Sequence, residues 1–273
     1  MLLKVENLNK TYDGKSVLKD INFTLNEGEV VCFLGPSGCG KSTLLRILAD
    51  LEKANSGKIS NGLSKMGFIF QEPRLLPWLN TYENIDLVLK DQIESSDERK
   101  KVIDRVLKEV NLYEFKDYYP KKLSGGMKQR AAIARALAVK SKLLLMDEPF
   151  SNLDFPLRLD LIKLLSRIFE EEGVGGVFVT HDTREAVLLG DRIMVLTEEP
   201  GEIESTTEIK IKKSERYLES EEISQYNRIL NHYLCQNMGP EHMHKHCRLM
   251  KNFNFSCKKL LTEGEIDNEE EQK

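Results

Sequence analysis

The sequence predicts an α/β protein: a mostly parallel sheet with helices, an antiparallel β region before it, a helical insert within it, and a C-terminal extension. Three observations predict it. Val30–Leu34 is an unbroken apolar run, and Leu143-Leu144-Leu145-Met146 and Gly176-Val177-Phe178-Val179 repeat that pattern of strands covered on both faces. Residues 80–140 carry helical spacing instead. Before residue 28, apolar residues alternate only partially around a turn at Asp13-Gly14, as in short antiparallel strands.

Composition bounds the function. The 273 residues can bury a full core, and 40% apolar with 31% charged residues is ordinary for a globular protein. No window approaches eighteen uninterrupted apolar residues, and Glu6 follows Met1-Leu2-Leu3-Lys4-Val5 too early for a signal peptide, so neither a membrane span nor a leader is expected. A net charge of -4 gives no general reason to expect nucleic-acid binding. The five cysteines do not form a disulfide framework, which points to the cytosol.

In chain order, Leu3, Val5 and Leu8 mark a first strand and residues 17–25 a second. Tyr12 stands just before their turn. Two readings stay open for it: edge packing, or an aromatic face that stacks on adenine, worth about 1–3 kcal/mol by analogy with base stacking.

Val30–Leu34 then enters Gly35-Pro36-Ser37-Gly38-Cys39-Gly40-Lys41-Ser42-Thr43, and Leu44, Leu45, Ile47, Leu48 and Leu51 continue with helical spacing. This is a phosphate cradle. Glycines let successive N–H groups point inward, and the helix end adds its positive dipole. Lys41 would neutralise β- and γ-phosphates, and Ser42 would ligate Mg2+. The core is thus of the P-loop NTPase type.

Asn55-Ser56-Gly57 is expected to close that helix, and Gly67-Phe68-Ile69-Phe70 to form a strand ending at Gln71. Two prolines and the only tryptophan follow in Glu72-Pro73-Arg74-Leu75-Leu76-Pro77-Trp78. A stiff apolar segment suggests a docking surface, while packing of Trp78 into the domain is the competing reading. In the insert, Val102, Ile103, Val106 and Val110 form one face of a charged helix. Leu123-Ser124-Gly125-Gly126-Met127-Lys128-Gln129-Arg130 opens the next helix, with Ser124 as N-cap and a second anion site at its end.

The Leu143 run ends in Asp147-Glu148-Pro149, where open α/β sheets place their ligands. Asp147 would hold Mg2+, and Glu148 would take a proton from attacking water. Neither is expected to cap a helix, because Ser151-Asn152-Leu153-Asp154 continues as a loop and Pro156 starts the later helix. Thr180-His181-Asp182 follows the next strand, with Arg192–Leu196 as a further one, and His181 would bond the terminal phosphate or orient the water.

After residue 205 the pattern changes. Ser220-Glu221-Glu222 reads as a helix start, with Ile223, Tyr226, Ile229, Leu230, Tyr233 and Leu234 as its apolar face. His232, Cys235, His242, His244, His246, Cys247 and Cys257 are dense enough to suggest Zn2+ or another transition metal in a regulatory module. Their spacing fits no standard zinc pattern, so a solvated tail with incidental histidines stands beside that reading. The acidic Glu269-Glu270-Glu271 is expected to be disordered.

Over about residues 1–205 the sequence resembles the ATP-binding subunits of ABC transporters, which carry the phosphate loop, Gln71, the signature at residues 123–130, Asp147-Glu148, the loop at residues 151–154 and His181 in this order. The segment from Phe70 to Trp78 resembles the branch serving nitrate, sulfonate and taurine importers. The resemblance implies a domain over residues 1–205 and an extension over 206–273. It implies ATP and Mg2+ as ligands and a head-to-tail homodimer, in which Ser124, Gly125, Gly126 and Gln129 contact the ATP of the partner chain. Tyr12 then matches the adenine-stacking aromatic. Gln71 matches a residue that touches Mg2+ and water, and Asp154 belongs to a loop crossing the dimer interface. Permease subunits would dock near Trp78, serving indirectly a solute-binding protein, with the chain cytoplasmic and peripheral on the inner face of the membrane. A soluble ABC-type ATPase acting on nucleic acid or ribosomes is the rival reading. One phosphate loop, one signature and no basic arm weigh against it, and intact Glu148 and His181 weigh against a purely regulatory binder.

Overall fold

A computed structural model describes residues 1–62, 65–151 and 153–236, with Gln236 described for its backbone alone. Strands β1 (Leu3–Tyr12) and β2 (Lys15–Leu25) pair antiparallel across the expected turn, and β3 (Val30–Leu34) leads into α1 (Lys41–Leu48). β4 (Ser56–Asn61), β5 (Gly67–Ile69), α2 (Thr81–Leu89), α3 (Ser96–Glu109) and α4 (Gly125–Ala138) follow. The rest comprises β6 (Leu143–Asp147), α5 (Phe155–Glu172), β7 (Gly175–Thr180), α6 (Thr183–Leu189), β8 (Arg192–Leu196), β9 (Ile203–Glu208) and α7 (Glu221–Gln236).

One sheet has the order β2-β1-β4 and is antiparallel. The larger sheet has the order β5-β6-β7-β3-β8-β9, parallel except for β9 at its edge. The apolar runs have a plain cause. Val30, Cys32 and Leu34 point into one core with the helical insert, α5 and α7, while Val31 and Phe33 point into a second core with α1 and the antiparallel sheet. β6 divides the same way, Leu144 and Met146 to the first core and Leu143 and Leu145 to the second. Both faces are covered, so neither face needs polar residues.

Two expectations around α1 are corrected. Leu51 is not on the phosphate-loop helix: α1 ends at Leu48, Asp50 turns the chain at φ 56, and Leu51 is exposed. Ser56 and Gly57, expected to close that helix, open β4 instead, which pairs with β1 in the register Val5 to Ile59. The insert follows the predicted pattern. Ile103, Val106 and Val110 are buried, Val102 partly so, and the face packs on α4. The expected division between residues 205 and 206 falls inside β9. Beyond it, Arg216 bonds the carbonyls of Val187 and Gly190 and the Asp191 carboxylate, and Ile223, Leu230 and Leu234 of α7 are fully buried against the first core. Ile229, expected on that apolar face, is exposed.

Candidate active site

Because β3, β5, β6 and β7 are parallel, the segments after their C-terminal ends meet on one sheet edge. β3 runs into the phosphate loop, β5 toward Gln71, β6 through Asp147 into Glu148, and β7 into His181. The register aligns them: Leu34 stands opposite Thr180, and Asp147 opposite Val179.

The phosphate loop is shaped by its glycines at two points. Gly40 holds φ 94 at the helix start, where an added Cβ would lie 2.7 Å from Leu18 Cδ2 and 3.0 Å from the Val17 carbonyl oxygen. At Gly35 a Cβ would lie 2.8 Å from Cys39 Sγ and fill the loop. Among the described residues, side-chain oxygens of Asn80, Ser95, Ser124, Asp154, Asp182 and Ser220 cap the other six α-helices, whereas α1 has no side-chain cap. Its first-turn N–H groups are left for an anion.

Lys41 is buried, and its Nζ donates to the carbonyls of Gly35 (2.8 Å) and Pro36 (2.6 Å), 3.7 Å from Cys39 Sγ. Ser42 Oγ donates to Asp147 Oδ1 at 2.9 Å. Gln71 Nε2 donates to Glu148 Oε2 at 3.4 Å, and His181 Nδ1 lies 3.2 Å from Glu148 Oε1. Burial raises the Asp147 carboxyl above the usual range. The hydrogen bond from His181 lowers Glu148, and the same bond raises His181. Glu148 is therefore an ionised acceptor at neutral pH, held between an amide and an imidazole. The oxygens of Ser42, Asp147 and Gln71 on one edge are hard donors of the kind Mg2+ prefers, and a cation there would offset the burial that raises the Asp147 carboxyl. The residues fit that ion.

Around this edge, Tyr12 is half exposed, its hydroxyl on Glu52 and its ring under Lys10 Nζ at 4.5 Å. Ser37 and Gly38 are exposed, and Thr43 is partly buried in the first turn of α1. Ser124 and Gly125 are exposed at the start of α4, and Gly126 is partly buried. Gln129, expected to face a partner's ATP with them, is instead buried, its Nε2 donating to the Phe70 carbonyl at 3.3 Å. It lies on the inner side of α4, where it holds the segment leading to Gln71. Asp154 caps α5 by accepting from Leu157 N at 3.0 Å, and neither Asp147 nor Glu148 caps a helix. Trp78 is 68% exposed, so it does not pack into the domain. His232 and Cys235 are partly buried on α7, while Asn152, His242, His244, His246, Cys247 and Cys257 lie outside the described residues. Among the described residues no group of three or more His, Cys, Asp or Glu is arranged to hold a metal.

Two side chains have roles that the sequence pattern does not reveal. Arg135 of α4 donates to the carbonyls of Pro73 and Arg74, gripping the segment after Gln71. Arg158 of α5 pairs with Asp182 at 3.2 Å and Glu185 at 3.1 Å, directly behind His181. The only signal for the second is a cation one helical turn after Asp154 and acids one and four residues after His181.

A phosphate loop with acid, amide and imidazole groups converging on one parallel-sheet edge defines a P-loop protein built to hydrolyse a nucleoside triphosphate. Comparison with known proteins narrows the class. A family model described as ABC transporter matches residues 18–151. The aliphatic sulfonates import ATP-binding protein SsuB 1 of Pseudomonas savastanoi pv. phaseolicola is 44% identical over 194 residues, covering 71% of this chain and 80% of that protein. SsuB of Bacillus anthracis is 46% identical over 204 residues, covering 70% of this chain and 78% of that protein. A bacterial ABC transporter cassette solved as a dimer superposes with a TM-score of 0.71 at 36% identity, over 77% of this chain and all of that one. The same values hold for its dimeric post-hydrolysis state bound to ADP and Pi. The chain belongs to the ABC transporter family, as an ATP-binding and ATP-hydrolysing cassette.

Proposed function

We propose that the chain powers import of a small solute, an anion or an organosulfur or nitrogen compound, with aliphatic sulfonates the first class to test. Two copies act as a head-to-tail dimer on the cytoplasmic face of permease subunits, which receive solute from a binding protein. The observation that carries the chemistry is the uncapped α1 facing Glu148, Gln71 and His181 on one edge. The sulfonate class is supported by the names of the relatives alone. A net charge of -4 disfavours the rival role on nucleic acid or ribosomes.

In this reading the free N–H groups of α1 and the loop bind the phosphates of ATP, and Tyr12 stacks on adenine. Lys41 exchanges the Gly35 and Pro36 carbonyls for the β- and γ-phosphates. Ser42, Asp147 and Gln71 would hold Mg2+, which when bound would neutralise negative charge on the phosphates. Glu148 takes the proton of the attacking water, and His181, anchored through Nδ1, turns its other ring edge to the γ-phosphate. Ser124, Gly125 and Gly126 close over the ATP of the facing copy, while Asp154 lies at the contact between copies. Zn2+ in the tail is a separate reading, tested by metal analysis of full-length protein purified without a histidine tag.

Glu148→Gln should keep ATP affinity, lower turnover by about 10^2- to 10^4-fold and trap an ATP-bound dimer, because the amide keeps the shape and loses the basicity. Lys41→Ala should lose ATP binding itself. Purified Glu148→Gln protein that hydrolyses ATP at a near-normal rate refutes the assignment. Growth on an alkanesulfonate as sole sulfur source, unchanged by deletion of the gene, refutes the proposed solute.

A further inference from the structure

Arg158 lies one turn into α5, four residues after the cap Asp154, and its guanidinium reaches two other segments. Nη2 donates to the carbonyl of Leu153 at 3.3 Å, in the loop before the helix. Nη1 reaches Asp182 Oδ2 at 3.2 Å and Glu185 Oε1 at 3.1 Å. The other oxygen of Glu185 accepts from Thr180 Oγ1 at 2.6 Å, and that hydroxyl in turn accepts from Asp182 N at 3.1 Å. Thr180 and Asp182 are the two chain neighbours of His181. Arg158 therefore reaches both shoulders of the histidine, Asp182 directly, where it shares the carboxylate with Arg184 at 2.6 Å, and Thr180 through Glu185; with its other arm it ties them to the loop at Leu153.

The network is poorly hydrated, with side-chain exposures of 20% for Arg158, 14% for Asp182 and 6% for Glu185. A buried ion pair of this kind is often no more stabilising than apolar residues of the same volume. What apolar residues lack is direction: the planar fork fixes the separation and orientation of the groups it joins. That separation bears on chemistry, since an error of about 1 Å in a reacting group costs on the order of a hundredfold in rate.

We propose that Arg158 is a positioning residue for hydrolysis, fastening the loop at Leu153 and Asp154 to the turn that carries His181 so that the two move as one piece. The inference rests on the proposed function, in which that loop meets the second copy. Seating of the loop by a partner then sets His181 against Glu148 and the γ-phosphate, although Arg158 touches neither.

The test compares the full-length chain with Arg158→Lys, Arg158→Gln and the double variant Arg158→Gln with Glu185→Gln, measuring kcat and KM for ATP together with Tm. In the single variants kcat should fall roughly ten- to a hundredfold while KM for ATP stays within about threefold, because the bridge is lost and the phosphate loop is untouched. The double variant removes the Glu185 carboxylate along with the cation, and Asp182 keeps Arg184 as its partner, so Tm should recover toward the unmutated value and kcat should not. A folded Arg158→Gln protein with unmutated kcat overturns the proposal. So does a double variant whose kcat recovers with its Tm, which would make Arg158 a charge neutraliser only. If Arg158→Gln fails to fold, the lysine and double variants decide in its place: a lowered kcat in both supports the bridge, and an unmutated kcat in either overturns it. An unmutated chain with no ATP turnover would overturn the proposed function as well, which separates the two failures.

Discussion

Glu148 is held at φ 42, in the left-handed region that a glutamate rarely occupies, and its N–H bonds the Val179 carbonyl. This twist turns the side chain after β6 toward Gln71 and His181, whereas Asp147, one residue earlier and in regular strand geometry, turns toward Ser42. Two adjacent acids thereby receive different surroundings and opposite shifts. Glu185 shows a larger one: burial, followed by the neighbouring Asp182, pushes its carboxyl up to about 7. Its unfolded value is near 4.5, so the folded chain binds the proton more tightly, and the contribution of Glu185 to stability falls as pH rises from 4.5 to about 7. Glu185→Gln removes that slope. The Tm of the variant minus that of the unmutated chain should therefore grow more positive between pH 5 and pH 8. A constant or falling difference would show that Arg158 and Thr180 keep Glu185 ionised throughout.

Among the elements, those with one dominant signal are legible in the sequence. Strands β3, β6, β7 and β8 stand out as apolar runs because both of their faces are covered, and Ser124 marks α4 because its hydroxyl accepts from Met127 N. β4 is not legible. Ser56-Gly57-Lys58-Ile59-Ser60-Asn61 has a single apolar side chain, and it is a strand because β1 offers it a ladder, a long-range cause that no local pattern carries. β9 is hidden for a related reason, its residues being exposed and half-buried in turn at a sheet edge. The position of Gln129 departs from expectation because the start of α4 shows which residues are near the cap but not which side of the helix meets Phe70. α7 shows an apolar face without showing what covers it, and its partner is the ATPase core: the helix packs on α6 and β8, and its Leu230 is fully buried. Leu230→Ala should cost about 2–5 kcal/mol in denaturant unfolding of the whole chain. A change below about 0.5 kcal/mol would mean that α7 folds apart from the core.

At the scale of the molecule, the surface near Pro77 presents Trp78, and the Thr81 N–H to Tyr118 carbonyl bond brings exposed Tyr118 and Tyr119 to the adjoining start of α2. Among the described residues no helix is long and apolar enough to cross a membrane. In the proposed function this patch meets a permease helix, and the segment leading to it is tied to α4, which bonds Phe70 through Gln129 and Pro73 and Arg74 through Arg135. Trp78→Ala with Leu76→Ala should weaken copurification with the membrane subunits while basal ATP hydrolysis persists. Loss of ATP binding or of folding in that variant would make the patch part of the core.

The alternation along β3 reaches further than its own five residues. Val31 and Phe33 look one way and Val30, Cys32 and Leu34 the other, so the sheet is a bulkhead between two apolar compartments. Leu45 belongs to the compartment under the phosphate loop, Leu165 to the one under the helical insert, and a hole opened in either is sealed off from the other. Leu45→Ala and Leu165→Ala should each cost about 2–5 kcal/mol, and the double variant should cost their sum within about 0.5 kcal/mol. Damage on the side of the insert would then loosen the chain there while the bed beneath the phosphates kept its shape.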